Sequence, residues 1–409
     1  MKNFWLTPFS ENLKIKLSVK NIILYFLHLF IKYILIYNIL YNFMKKAFVN
    51  CRIMPGWVLN VFQDMIEKEE YSEAKVFTLF SDRTEILAWN KKLQVVTALP
   101  KRLNKIFLYF SKHKIKILSS LFDYRNLMMF YPSFMKVLSK KIRKYNPEKI
   151  IISSFAIAKN IFVPNIKKKL YLHSPMQYIW SHYDEYTHKL PWFKLALFKA
   201  ITPRLRKRDK KFNQFDEVEF NSQYTAKLAK ELYWISWKVV YPKIDPAFHT
   251  VRVVQQPNNY YIYVWRTVKF VKEVDKIIRL FNEIKEPLLI MWSGPDEMYL
   301  KSIAWDNIIF IWRINNPDEK MEIIRNSKWL INITKESFWI CTMEALLCWV
   351  PVFWFNDGAS VELVDSESWI LVPDKNHKTL VSNFKKFADS DRNRENIQKR
   401  ARKLVSNQW

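Results

Sequence analysis

From about residue 45 onward, short and nearly continuous apolar runs rich in Ile, Val, Leu and Phe alternate with stretches in which apolar residues recur every three or four positions. The first pattern suits strands buried on both faces and the second suits amphipathic helices, so the alternation predicts stacked βα units around parallel sheets. Strands are predicted at 47–51, 76–80, 93–98, 149–153, 170–173, 217–220 and 238–241, with helices between them, for example 58–68 and 132–144. The polar stretch Gln255-Gln256-Pro257-Asn258-Asn259 reads as a linker. A second series of strands follows it at 260–264, 288–291, 308–311, 330–333, 351–355 and 370–372. The expected class is therefore α/β, with two Rossmann-like domains facing across a cleft, where ligands gather at strand C-terminal ends.

Residues 22–44 break this pattern with 23 largely apolar positions, long enough to span a bilayer. Lys32 near the middle costs roughly 3 kcal/mol on an insertion scale, which the neighbouring Leu, Ile and Phe residues offset. The segment reads either as an N-terminal anchor or as sequence preceding a true initiator at Met44. No small-residue cleavage site follows it, so it does not read as a secretory signal.

Composition adds three facts. The 409 residues carry 66 Lys+Arg against 38 Asp+Glu, a formal net charge of +28, which points to nucleic acid, an anionic membrane surface or biased codon usage. No zinc-finger or RNP-like pattern supports nucleic-acid readout, and the basic runs 166–169 and 204–211 read as solvated edges near a membrane surface. The three cysteines, Cys51, Cys341 and Cys348, lack CxxC spacing and support neither a disulfide framework nor a zinc site. The outlier is glycine: 3 residues beside 17 tryptophans, where ordinary usage of about 7% would give many times more glycine.

The sharpest chemical pattern is Glu336-Ser-Phe-Trp-Ile-Cys-Thr-Met-Glu344-Ala-Leu-Leu-Cys-Trp-Val-Pro351-Val. Its two glutamates are eight positions apart across a strand-to-helix turn, so both can face one site at a helix N-terminus, where backbone N–H groups favour an anionic ligand. A carboxylate can accept two hydrogen bonds from vicinal sugar hydroxyls. An exposed glutamate followed by a capping glutamate is the bland alternative.

This segment resembles the E-x7-E motif of GT-B glycosyltransferases of family 4, whose pattern runs E-G-F-G-I-x-x-x-E-A-x-x-x-G-x-P-V. Further matching stretches are 171–180 (YLHSPMQYIW), 221–227 (NSQYTAK), 239–245 (VVYPKID), 265–268 (WRTV), 292–296 (WSGPD) and 307–313 (NIIFIWR), in the family's order. The resemblance implies an N-terminal acceptor-side domain over 45–254, a nucleotide-sugar-binding domain over 255–390 and a crossover helix over 391–409. The first glutamate, Glu336, would then hold the donor sugar's hydroxyls and the second, Glu344, the nucleotide ribose. Arg266 and Lys272, with Lys269 as the fallback, would neutralise the leaving diphosphate. His173 would contact the donor sugar near the reacting carbon, although a lone histidine is otherwise most often a satisfied core or surface residue. The turn Pro55-Gly56-Trp57 would lie beside the donor phosphates or acceptor. Phe338, Trp339 and Ile340 would offer backbone N–H groups, with Gly294 and Glu362 completing the donor-binding set. The family often has Arg where Gln177 stands.

The implied reaction is transfer of a hexose with retained configuration, most like mannosyltransferases of cell-surface polysaccharide pathways. GDP-mannose or a UDP-hexose is the expected donor and a lipid-linked glycan the expected acceptor. No metal, no cofactor and no nucleic acid partner is expected, and the location is cytoplasmic, on the inner face of the cell membrane. Tryptophan stands where the family has glycine at Trp57, Trp234, Trp237, Trp265, Trp292, Trp305, Trp312, Trp329, Trp339, Trp349, Trp354 and Trp369. Glycine permits φ > 0 and close backbone approach whereas tryptophan is the largest side chain, so UGA codons read as glycine in the organism would explain both anomalies together. An inactive GT-B protein, or a non-catalytic basic protein that binds membranes or nucleic acid, are the competing readings.

Overall fold

The computed structural model describes residues 24–33, 44–53, 56–88, 91–112, 127, 130–188, 190–212, 214–254, 257–264, 272–291, 294, 296–312, 314–335, 337–338, 340–363, 369–387 and 394–406. Two units follow one another. The first comprises β1 (Lys45–Ile53), α1 (Trp57–Glu67), β2 (Glu73–Ser81), β3 (Glu85–Ala88), β4 (Lys91–Thr97), α2 (Lys101–Lys112), α3 (Tyr131–Tyr145), β5 (Lys149–Ser154), β6 (Lys167–Leu172), α4 (Tyr183–Thr187), α5 (Trp192–Asp209), β7 (Glu217–Phe220), α6 (Gln223–Tyr233) and β8 (Lys238–Val239). Its strands lie in the order β3-β4-β2-β1-β5-β6-β7-β8, and all pairs are parallel except β3 with β4.

The second unit comprises β9 (Tyr261–Tyr263), α7 (Val274–Ile284), β10 (Leu288–Met291), α8 (Glu297–Ile303), β11 (Ile308–Ile311), α9 (Pro317–Arg325), β12 (Leu330–Asn332), α10 (Ile340–Leu347), β13 (Val352–Phe355), α11 (Ser360–Leu363), β14 (Trp369–Val372), α12 (His377–Phe387) and α13 (Arg394–Ser406). Its sheet is parallel throughout, in the order β11-β10-β9-β12-β13-β14. The topology is the pair of mostly parallel α/β units that the polarity pattern predicts, and it carries one strand the pattern misses, β3.

Continuous apolar strands form because both faces of each sheet are covered. Ala47, Val49 and Cys51 of β1 turn to one side, against α3 and β5, while Phe48 and Ile53 turn to the other, against Phe62 and Ile66 of α1. Each fully buried Phe or Ile stabilises the unit by roughly 1.5–3 kcal/mol relative to exposure. Helix starts are set locally: Ser222 accepts the Thr225 N–H at the head of α6, and Asn316 accepts those of Asp318 and Glu319 before Pro317-initiated α9. Helix α13 packs Ile397 and Ala401 into the second unit's core, and Gln398 donates to the carbonyls of Val251 and Leu347.

The 204–211 run is largely solvated, with Arg204, Lys207, Arg208, Lys210 and Lys211 exposed, but both basic runs also contain buried charged residues. Residues 167–169 form the start of β6, where Lys168 is buried and Lys169 pairs with Glu219 at 3.0 Å. Asp209 within the 204–211 run is fully buried. It meets Lys159, equally buried, at 2.7 Å, and accepts from Trp180 Nε1 at 2.8 Å and the Tyr233 hydroxyl at 2.5 Å. The Lys159 ammonium lies beside the stacked rings of Phe212 and Tyr233, 4.7 and 4.6 Å from their centroids. This cluster ties α5, α6 and the turn at 177–179 into one body.

The helix over residues 24–33 exposes its whole apolar surface, and among the described residues no helix is long and apolar enough to cross a membrane.

Candidate active site

The C-terminal ends of the two sheets meet at the first turn of α6. The Ser222 hydroxyl donates to the Ser337 carbonyl of the second unit at 2.5 Å, while Thr225 Oγ1, one turn along, donates to the His173 carbonyl at 3.2 Å. One helical turn thus connects the residue that follows β6 with the loop that follows β12. Glu362 of α11 closes the contact: it accepts the Gln223 and Tyr224 N–H groups at 2.7 and 3.1 Å and the Tyr241 hydroxyl at 2.9 Å. A carboxylate against a helix N-terminus is favourably placed in the helix dipole. Burial nevertheless raises the Glu362 pKa, and the three donors offset that only in part. Glu362, expected among the donor-binding residues, thus has its carboxylate engaged by the first unit.

His173 is 2% exposed. Its Nε2 lies 2.8 Å from the Ser153 hydroxyl, and its ring meets Tyr171 edge-on at 4.9 Å. Burial pulls its pKa down to about 3, so the ring is neutral at physiological pH.

In the second unit, α10 begins at Ile340 behind the buried Phe338, whose ring lies 5.8 Å from that of Tyr241. Glu344 sits in the second turn of α10, buried, and forms an ion pair with Lys320 of α9. The Cys341 thiol lies 3.8 Å from the same ammonium. Burial pushes that thiol up to about 12, against the opposing pull of the Lys320 and Lys272 charges. Lys272 therefore stands close to Glu344's surroundings, and its carbonyl accepts the Thr334 hydroxyl at 3.2 Å. Gly294 precedes α8, and its carbonyl accepts from Glu297 at 3.4 Å. Gly56 heads α1, with its carbonyl accepting from Leu59 at 3.0 Å.

Pro55, Arg266, Glu336, Trp339 and the alternative Lys269 lie outside the described residues, as does the Trp57 side chain. Lys272, Phe338, Ile340 and Glu344 come together in one unit, and the α6 turn brings His173 to their side of the molecule. Sequence reasoning missed Ser222 and Thr225, although Asn221-Ser222-Gln-Tyr-Thr225 carries a helix-capping signature, and it missed Lys320. Among the described residues no group of three or more His, Cys, Asp or Glu side chains is placed to hold a metal ion.

Residues 247–404, which include the β9–β14 sheet, α10 and Glu344, match the family model described as glycosyl transferases group 1. The second unit therefore carries the match to the glycosyl transferases group 1 model. By class, the chain is a glycosyltransferase. The whole fold is similar to that of WaaG, a glycosyltransferase involved in lipopolysaccharide biosynthesis, with a TM-score of 0.60 at 11% identity over 89% of this chain and 95% of that one. A sucrose-phosphate synthase from Thermosynechococcus elongatus superposes with a TM-score of 0.60 at 13% identity, covering 88% and 94% of the two chains. An E. coli trehalose-6-phosphate structure bound with UDP-2-fluoro glucose gives 0.56 at 11% identity, covering 89% and 95%. No curated protein matches the chain. In this glycosyltransferase the group 1 domain holds Glu344, Lys272 and the Ser337-Phe338 loop, and the first unit faces it with His173.

Proposed function

We propose that this glycosyltransferase moves a hexose, mannose being the first candidate, from a nucleotide-sugar such as GDP-mannose or a UDP-hexose to a lipid-linked or polysaccharide acceptor of the cell envelope, with retention and without a metal ion. The observation that carries the reading is the junction at α6, which joins the His173 carbonyl to the Ser337 carbonyl beside the group 1 domain's donor motif. Glu336 would hold sugar hydroxyls and Glu344 the ribose. Arg266 and Lys272 would stabilise the charge that develops on the leaving diphosphate. That diphosphate would in turn accept the proton of the incoming hydroxyl as an oxocarbenium-like centre forms, so no separate base is needed. Calorimetric titration with GDP-mannose and UDP-glucose, followed by NMR of the product's anomeric proton, tests this. Binding of neither donor, or an inverted product, refutes it.

A membrane-facing acceptor is supported by the first unit's surface. Helix α5 exposes Trp192 (82%), Phe193 and Leu197 on its first turns and Arg204, Lys207 and Arg208 on its last, and α2 exposes Leu103, Ile106 and Tyr109 among Lys101, Arg102 and Lys105. Such mixtures suit the interface of an anionic bilayer. Sedimentation with anionic liposomes at physiological salt tests it, and failure to cosediment removes the membrane from the proposal.

The glycine–tryptophan anomaly has support of its own. Trp234 and Trp349 follow α6 and α10 with φ of 61° and 64°, the left-handed region where helix C-termini favour glycine. Trp234 is 88% exposed, so its indole contributes little packing to offset that conformation. These two positions favour UGA read as glycine. Mass spectrometry of the native protein that finds tryptophan at 234 or 349 would refute the decoding reading.

A further inference from the structure

Three polar side chains stand in a row across the middle of the first sheet. Asn50 on β1 is the direct register partner of Ser153 on β5, and Ser153 pairs in turn with Tyr171 on β6, two residues before His173. Asn50 and Ser153 are 1% and 0% exposed. Such polar groups in the apolar centre of a parallel sheet are costly unless each is hydrogen-bonded. Here the bonds run in one direction. The Arg52 N–H donates to Asn50 Oδ1 at 3.3 Å, which fixes the amide with its nitrogen toward Ser153. Asn50 Nδ2 donates to Ser153 Oγ at 3.4 Å, and Ser153 Oγ lies 2.8 Å from His173 Nε2. Ser153 Oγ carries one proton and two lone pairs, and with Asn50 on one lone pair, donating the proton to Nε2 is the arrangement that gives the buried hydroxyl hydrogen an acceptor.

We propose that Asn50 and Ser153 are positioning residues that hold the His173 imidazole in the tautomer with its proton on Nδ1. A neutral imidazole has one donor nitrogen and one acceptor nitrogen, and which is which follows from the partner each meets. With Nε2 committed as acceptor, the ring meets a ligand as a donor and discriminates in favour of an acceptor oxygen, such as that of a sugar hydroxyl, over a donor group. The low pKa that burial gives His173 is consistent with this, because a neutral ring has a tautomer to lock. The functional half of the inference rests on the glycosyl-transfer reading, whereas the tautomer itself does not.

The test is two-bond 15N–1H correlation NMR on the full chain labelled with 15N-histidine, with the His173 signals assigned by their loss in His173→Gln. The expected result is a pyridine-like shift at Nε2 and a pyrrole-like shift at Nδ1 in the unsubstituted protein. Ser153→Ala is expected to mix or reverse the two and to lower kcat roughly ten-fold with a smaller change in donor KM, and Ser153→Thr, which keeps the hydroxyl, to restore the pattern. A protonated Nε2 in the unsubstituted protein, or an unchanged tautomer in Ser153→Ala, overturns the proposal. If Ser153→Ala does not fold, the unsubstituted spectrum and Asn50→Ala, expected to loosen the same preference, decide it. Absence of turnover in the unsubstituted chain counts against the transferase reading alone, since the tautomer is read without substrate.

Discussion

Replacing Lys159 by Met separates charge from packing at the most deeply buried ion pair described in the molecule. Methionine keeps an unbranched stem beside the stacked Phe212 and Tyr233 rings, 4.7 and 4.6 Å from the ammonium in the native protein, but removes the cation that faces Asp209 at 2.7 Å. Both partners have 0% side-chain exposure, so no water can take the lysine's place without local opening. Breaking such a pair from one side costs about 3–5 kcal/mol, because the remaining charge is left uncompensated. Asp209 keeps two hydrogen bonds, from Trp180 Nε1 and the Tyr233 hydroxyl, which places Lys159→Met near the lower end, about 3 kcal/mol. Asp209→Asn strands a buried ammonium instead and is expected to cost about 3–5 kcal/mol. The double variant removes both charges and is expected to recover most of the loss, giving a coupling energy of about 2 kcal/mol or more. Guanidinium unfolding of the full chain, followed by tryptophan fluorescence and with the two units' transitions resolved separately, supplies the numbers. Single substitutions that each shift stability by less than about 1 kcal/mol, or strictly additive effects, would refute the reasoning.

Glu362→Gln removes the charge that faces the α6 N-terminus and sets an amide N–H₂ against an N–H donor. It is expected to weaken the contact between units by about 1 kcal/mol, seen as a larger radius of gyration in X-ray scattering with donor present, and an unchanged radius would refute the latch. Lys320→Met leaves Glu344 buried without its cation and disturbs its placement in α10, so on the glycosyl-transfer reading donor affinity measured by calorimetry should fall roughly ten-fold, and an unchanged affinity would contradict the role of the pair. His173, with a folded pKa of about 3 against an ordinary 6.5, binds fewer protons folded than unfolded between those values. Stability therefore rises with pH across that window and is lost as pH falls through it. The full gap is worth about 4–5 kcal/mol, and His173→Gln should flatten the slope measured by denaturant titration from pH 4 to 7.

Most of the fold is legible in the sequence because its strands are buried on both faces and therefore read as unbroken apolar runs. The exception, β3, has the sequence EILA with alternate residues exposed, too short and too polar at its edge to stand out. Of the two-glutamate motif the structure describes Glu344, which its spacing places on a helix and which lies in the second turn of α10. Lys320 was not legible, since α9 reads PDEKMEIIR, a run of mixed charges like any solvated helix, and only tertiary packing turns one lysine inward. The same holds for Asp209, which interrupts a strongly basic run yet lies in the core. Asn50 and Ser153 leave no trace either: a single polar residue near the end of an apolar strand looks like the strand's boundary until its neighbours in the sheet are known.

The Asn50–Ser153 contact spans 103 positions along the chain, and it lies between the two central strands of the first sheet. At roughly 5–20 residues per second of synthesis, β1 waits on the order of five to twenty seconds for β5 to be made. Throughout that interval an apolar strand has one of its two edges without its native neighbour, and pairing it requires closing a loop of that length before any contact rewards it. Placing the histidine support on the central strands therefore makes the His173 geometry a late product of folding. A chain released early, or folded at high concentration without a chaperone, would lose solubility before it ever acquired activity.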